Sequence, residues 1–152
     1  MNILVTVGFT AFDQLIEAVD RQFSPADFSI TCQIASGGYQ PQSHPFFRVS
    51  DKLTDMIEAA DLVITHGGAA TVFELLEAGK PIVLVPNMSR LDKHQRDLAD
   101  FVETNQYGSV CRDLATLQSC VETCHQTNFK PYEKESFFLS RDILQYFGIA
   151  EK

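Results

Sequence analysis

Two apolar rhythms alternate along this chain. ILVTV (3–7) is a compact run with β-branched residues, the pattern of a buried strand. Phe12, Leu15, Ile16, Val19 and Phe23 then recur at helical spacing, and Pro25 limits that helix. FSITCQI (28–34) reads as a second strand and FFRV (46–49) as a third, separated by the turn-rich loop ASGGYQPQSHP (35–45). Ser50 or Asp51 is placed to cap a helix running to Ala59 or Ala60, with Leu53, Met56 and Ile57 inward. LVIT (62–65) is a fourth strand, and TVFELLEAG (71–79) a helix closed by Gly79. IVLVP (82–86) gives a fifth strand, followed by a helix over 93–103, a short strand at 108–112, a helix over 115–125 and a last helix over 133–147.

Strands that alternate with helices and read as continuous apolar runs belong to a parallel sheet covered on both faces. The expected fold is therefore α/β, a single Rossmann-like doubly wound domain spanning residues 1–152. In such sheets ligands bind beyond the carboxyl ends of the strands. That directs attention to the loops 8–12, 35–45, 49–52, 65–71 and 86–95.

Composition narrows the partners. The chain has 152 residues, 45% hydrophobic and 21% charged, with a net charge of -8. An acidic chain is a poor match for a nucleic-acid backbone or an anionic lipid surface. No apolar run approaches the roughly 20 residues that span a bilayer. MNILVTVGFT lacks the basic start of a signal peptide, so a cytoplasmic location is expected. Cys120, Cys124 and His125 lie close on one helix, but their spacing is not a zinc pattern. The four cysteines are read as reduced thiols, and no metal or other cofactor is expected.

Three loops carry candidate chemistry. In THGGAAT (65–71), Gly67 and Gly68 let the backbone approach a ligand, and a helix starting near Thr71 presents free N–H groups and a positive dipole end. Thr71 and His66 are in place to donate to phosphate. Glu74 sits within an apolar helical pattern one turn on, suited to a ribose diol. A plain strand–helix turn with Thr71 as its cap fits the same residues. VGFTAF (7–12) places Gly8 and Thr10 where another helix begins, either as a second anion-binding turn or as a tight turn with a Thr cap. In DKHQ (92–95), His94 and Gln95 face the same crevice or form a solvated helix start, with Asp92 as a cap. None of these is a dinucleotide fingerprint or a P-loop.

Taken in order, VTVGFTAFDQLIEAVD, DMIEAADLVITHGGAATVFELLEAGKPIVLVPN and DKHQRDLA resemble the C-terminal, donor-binding half of GT-B glycosyltransferases of family 28. The resemblance spans roughly residues 2–112. It extends to the short soluble subunits of two-part bacterial exopolysaccharide and capsule glycosyltransferases. It extends also to the soluble subunit of the eukaryotic enzyme that adds the second N-acetylglucosamine to the dolichol-linked oligosaccharide. The resemblance implies that Gly8, Thr10, His66, Gly68, Ala70 and Thr71 surround the diphosphate of a UDP-sugar. It implies that Glu74 takes the ribose hydroxyls, Val49 faces uracil, and Gln95 with His94 meets the transferred sugar. Phe9 departs from the small polar residue common in the family, and NMSRLDKHQ departs from its Arg-Glu-rich loop, which leaves the donor sugar open.

A GT-B enzyme joins two such domains, and this chain has length for one. The resemblance therefore implies a heterodimer. This chain would bind UDP-sugar, and a membrane-anchored partner would bring a lipid-linked saccharide acceptor to the cytoplasmic face of the membrane. The general base lies in the N-terminal domain of related one-chain enzymes, so it is assigned to the partner rather than to any histidine here. The last helix, 133–147, is core or a docking element for that partner. Competing readings are an epimerase fragment, a flavodoxin-like regulatory module, and a stimulatory subunit that binds no donor.

Overall fold

The computed structural model of the protein describes residues 1–87 and 93–134. Six parallel strands form one sheet: β1 (Asn2–Thr6), β2 (Ser29–Gln33), β3 (Phe46–Phe47), β4 (Leu62–His66), β5 (Ile82–Val85) and β6 (Ser109–Val110). Their spatial order is β3-β2-β1-β4-β5-β6. The order reverses between β1 and β4, so the loops leaving these two strands diverge to opposite sides and open a crevice between them.

Alternation along the strands builds two cores. Ile3, Val5, Ile64, Val83 and Val85 face one side, where they meet Leu15, Ile16 and Val19 of α1 (Asp13–Gln22) and Leu117 and Val121 of α5 (Leu117–Gln126). Leu4, Val63, Ile82 and Leu84 face the other, against Ile57 of α2 (Leu53–Ala59), Val72 and Leu75 of α3 (Ala69–Glu77), and Leu98 and Val102 of α4 (Lys93–Thr104). Both faces are thus covered, the condition under which a parallel sheet is stable.

Several boundaries differ from expectation for local reasons. The third strand is two residues long, because β3 pairs with β2 only at Phe46 and Phe47 on the sheet edge. Val49 therefore lies beyond the strand. Helix α1 starts at Asp13 with Phe12 in the capping position, so Thr10 is not a cap. Neither Ser50 nor Asp51 caps α2: Lys52 holds that position, and the Ser50 hydroxyl accepts from the Lys52 N–H at 3.1 Å within the preceding turn. Residues 114–116 form a single 3-10 turn that enters α5, with Asp113 as its cap. Residues 133–134 are not helical, and the rest of the expected last helix lies outside the described residues, as does Asp92.

Candidate functional site

A row of polar side chains closes the carboxyl end of an otherwise apolar sheet. Thr6 pairs in register with Gln33 on one side and Thr65 on the other, and His66 follows beside Val85. All four are buried. Buried polar groups persist only when their hydrogen bonds are made. The Thr6 hydroxyl and the Gln33 carboxamide oxygen are hydrogen bonded to each other, and the Gly8 N–H donates to the Thr6 hydroxyl at 3.3 Å. The Gln33 amide donates to the Gly8 carbonyl at 3.2 Å. Both polar groups of the Gly8 backbone are thereby tied to the ends of β1 and β2.

Gly8 has φ +61°, which a glycine adopts without steric cost. Its turn is closed by the Thr10 N–H donating to the Val7 carbonyl at 3.3 Å. The turn lies on the His66 ring: a Cβ at Gly8 would come within 2.7 Å of His66 Cε1. Gly68 approaches the same imidazole, where a Cβ would meet Cε1 at 2.7 Å and Nε2 at 2.8 Å. His66 is thus held between the two loops that define the crevice. Gly67 is crowded from elsewhere, since its Cβ would lie 2.9 Å from the Gln95 Cβ at the start of α4. The two glycines are needed chiefly for close packing. Gly68 itself has φ -78°, open to any residue.

Helix α3 begins at Ala69, two residues before the expected start, with Gly68 in the capping position and no side-chain cap. The cause is the extended Gly68 backbone, whose carbonyl accepts the first helical bond from the Val72 N–H at 3.0 Å. Thr71 is therefore a third-position residue. The N–H groups of Ala69, Ala70 and Thr71 stand at the uncapped start, and no acidic residue occupies the first turn. Those N–H groups and the helix dipole favour an anion there. Glu74 lies one turn further on the same face as Ala70 and Thr71, opposite the buried Val72, Leu75 and Leu76. It is exposed, although apolar residues flank it in sequence. Its carboxylate is open to a diol.

The remaining expected residues divide. Gln95 is buried and reaches the crevice floor, with its side-chain oxygen accepting from the Asn87 N–H at 2.8 Å. Only its amide end is left for a ligand. His94 is exposed, and so is Val49, at 71%. Phe9, at the tip of the Gly8 turn, is 91% exposed. Beside the crevice, a cavity of about 370 Å³ opens beyond β5 and β6, lined by Phe12, Gln14, Asn87 and Arg112 among others. A second cavity, of about 330 Å³ around Gly79 and Tyr132, adjoins the opposite ends of the strands and is remote from these groups. Cys120 and Cys124 do not combine with His125 in any metal-holding cluster among the described residues. The Cys124 thiol instead faces the Ile82 carbonyl at 3.4 Å.

Sequence reasoning passed over Thr6, Gln33 and Asp13. Asp13 opens α1, and its Oδ2 accepts from the Gly38 N–H at 3.1 Å, joining the first loop to the loop after β2. A carboxylate three residues after a Gly-Phe-Thr turn, in the first turn of a helix, was the available signal. Thr6 and Gln33 had none, because their partnership exists only through strand register. The 35–45 loop is anchored further back at Asp20. Its carboxylate accepts from the Tyr39 hydroxyl at 2.8 Å and from the Gln42 and Ser43 N–H groups at 2.9 and 2.8 Å. Burial alone would raise the Asp20 pKa, but these donors outweigh it and hold it below the usual carboxylate value.

Comparison with known proteins identifies the family. Residues 2–144 match the glycosyltransferase family 28 C-terminal domain. The chain is 38% identical over 129 residues to the human "UDP-N-acetylglucosamine transferase subunit ALG13", covering 74% of this chain and 11% of that protein. It is 32% identical over 110 residues to the UDP-N-acetylglucosamine–N-acetylmuramyl-(pentapeptide) pyrophosphoryl-undecaprenol N-acetylglucosamine transferase of Psychromonas ingrahamii, covering 66% of this chain and 31% of that protein. It therefore spans only a minor part of these relatives' length. Among solved structures, the calicheamicin glycosyltransferase CalG4 matches 82% of this chain and 34% of its own, with a TM-score of 0.65 at 22% identity. The solution structure of ALG13 matches 96% of this chain and 93% of its own, with a TM-score of 0.59 at 17% identity. The match over residues 2–144 makes this chain a member of glycosyltransferase family 28, and its Rossmann-like sheet has the fold of the C-terminal domain of a GT-B enzyme.

Proposed function

We propose that this chain is the donor-binding catalytic subunit of a two-component inverting glycosyltransferase. It holds a UDP-sugar in the crevice between β1 and β4, and a membrane-anchored partner presents a lipid-linked saccharide acceptor. The observation that carries this reading is the meeting of Gly8 and Gly68 on His66 beside the uncapped start of α3. That arrangement brings backbone close to a ligand from two sides and aims free N–H groups at one point, which suits a diphosphate. In transfer, negative charge builds on the leaving diphosphate. Fixed N–H groups and a helix dipole stabilise such charge without having to reorganise. Glu74 fixes the ribose one turn away, Val49 marks the uracil side, and the amide end of Gln95 with His94 faces the sugar. The names of the relatives favour UDP-N-acetylglucosamine as the donor.

The acceptor hydroxyl needs a general base, which we place on the partner. Co-expression tests this division of labour. The chain with a membrane-anchored partner is expected to transfer labelled N-acetylglucosamine to a lipid-linked acceptor, and neither protein alone is expected to do so. Full activity from this chain alone would refute the two-component reading. Absence of UDP binding would instead favour a stimulatory subunit.

A further inference from the structure

The Gly8 turn holds more information than its closeness to His66. In a trans peptide the C=O and N–H point in opposite directions, and the chain has no cis peptide bond among its described residues. The Gly8 carbonyl belongs to the same peptide as the Phe9 N–H. The carbonyl is drawn toward the end of β2 by the Gln33 amide at 3.2 Å. The Phe9 N–H must then point away from β2. Since β1 lies between β2 and β4, that direction is the side of His66 and the start of α3. No described residue accepts from this N–H.

We propose that Gln33 is a positioning residue for the diphosphate: by holding the Gly8 carbonyl, it aims the Phe9 N–H into the crevice as an anion donor. The proposal rests on the donor-binding reading above and adds to it a buried residue that never meets the substrate. Gln33 is suited to this task because it is 4% exposed and its other end is fixed on Thr6, so the amide has one available orientation. Without it, a glycine-containing peptide is free to flip. A flipped peptide would present a carbonyl oxygen to the phosphate in place of an N–H. Phe9 then owes its exposure to the constrained turn, and its function to its backbone.

Calorimetry with UDP and with uridine on the full chain separates the possible outcomes. Gln33→Met keeps the side-chain length and removes both hydrogen-bonding ends. It is expected to weaken UDP binding roughly tenfold, the effect of losing one hydrogen bond to a charged group, and to leave uridine binding unchanged. An unchanged ratio of UDP to uridine affinity would overturn the proposal. A wild-type chain that binds neither ligand would overturn the donor-binding reading itself, and this inference with it. Should Gln33→Met fail to fold, the wild-type Phe9 amide resonance serves instead. It is expected to shift when UDP is added and to stay in place with uridine, and equal behaviour with both ligands would contradict the assignment.

Discussion

His66 shows how much a single residue can demand of its neighbours. A Cβ on Gly68 would stand 2.7 Å from its ring, closer than atoms tolerate, so Gly68→Ala must move the ring or the loop. The expected cost is about 1–3 kcal/mol of stability, read from urea denaturation, together with weaker UDP binding. Glu74 is the contrasting case. Exposed and on the outer face of α3, it contributes little to folding. Glu74→Ala is expected to leave stability within about 0.5 kcal/mol and to weaken UDP binding roughly tenfold. A variant that binds UDP as tightly as wild type would remove Glu74 from the ribose. Asp20 offers a test through pH. Its folded pKa lies below the unfolded value, so the stability it supplies is fully present above the unfolded pKa and is lost as pH falls through the folded one. Asp20→Asn is expected to cost about 1–2 kcal/mol at neutral pH. The gap from wild type should begin to narrow below about pH 4 and close once the pH is below the folded pKa. A gap that persists in stronger acid would show that charge is not the cause.

At the scale of elements, α3 and β1 do most to shape the site. Helix α3 is held by Val72, Leu75 and Leu76 against the sheet, which leaves its other face and its start available. Leu75→Ala, at a fully buried position, is expected to cost about 2–5 kcal/mol in a thermal or denaturant melt, and a loss under 1 kcal/mol would contradict that packing. Much of this level was legible in the sequence. The apolar runs of β1, β4 and β5 announce themselves because a strand buried on both faces has no polar alternation to blur it. The same logic misplaced the start of α3. Thr71 looks like a cap by type, whereas the extended backbone at Gly68 caps the helix without any side chain. The apolar FFRV run overstated β3, since a sheet-edge strand pairs on one side only and ends where that pairing ends. The Thr6–Gln33–Gly8 ring was not legible, because residues 25 or more apart in sequence meet only once the register of β1 and β2 is known.

Across the whole molecule the net charge is -8, so an anion at the crevice has to be held by local donors rather than by the overall charge. The uncapped start of α3 offers such donors in its backbone N–H groups, without basic side chains. No helix among the described residues is long and apolar enough to cross a membrane. The thiols report on the integrity of the same fold. Burial, with the Asp20 charge adding to it, pushes Cys32 up to about 12. Burial and the neighbouring Cys120 push Cys111 up to about 12, and burial raises Cys124 as well. Thiols in that condition are poor nucleophiles. Iodoacetamide at pH 8 is expected to modify the partly exposed Cys120 first, and the other three only after denaturation. Rapid labelling of all four in the native protein would contradict the packing around β2, β6 and α5.

Donor binding by the crevice between β1 and β4 is tested most directly by titrating the full chain with UDP-N-acetylglucosamine in a calorimeter. The expected result is saturable binding at one site, competed by UDP and weakened by Glu74→Ala. No detectable heat at about 1 mM ligand, where even a binding free energy near -4 kcal/mol would register, would contradict the account.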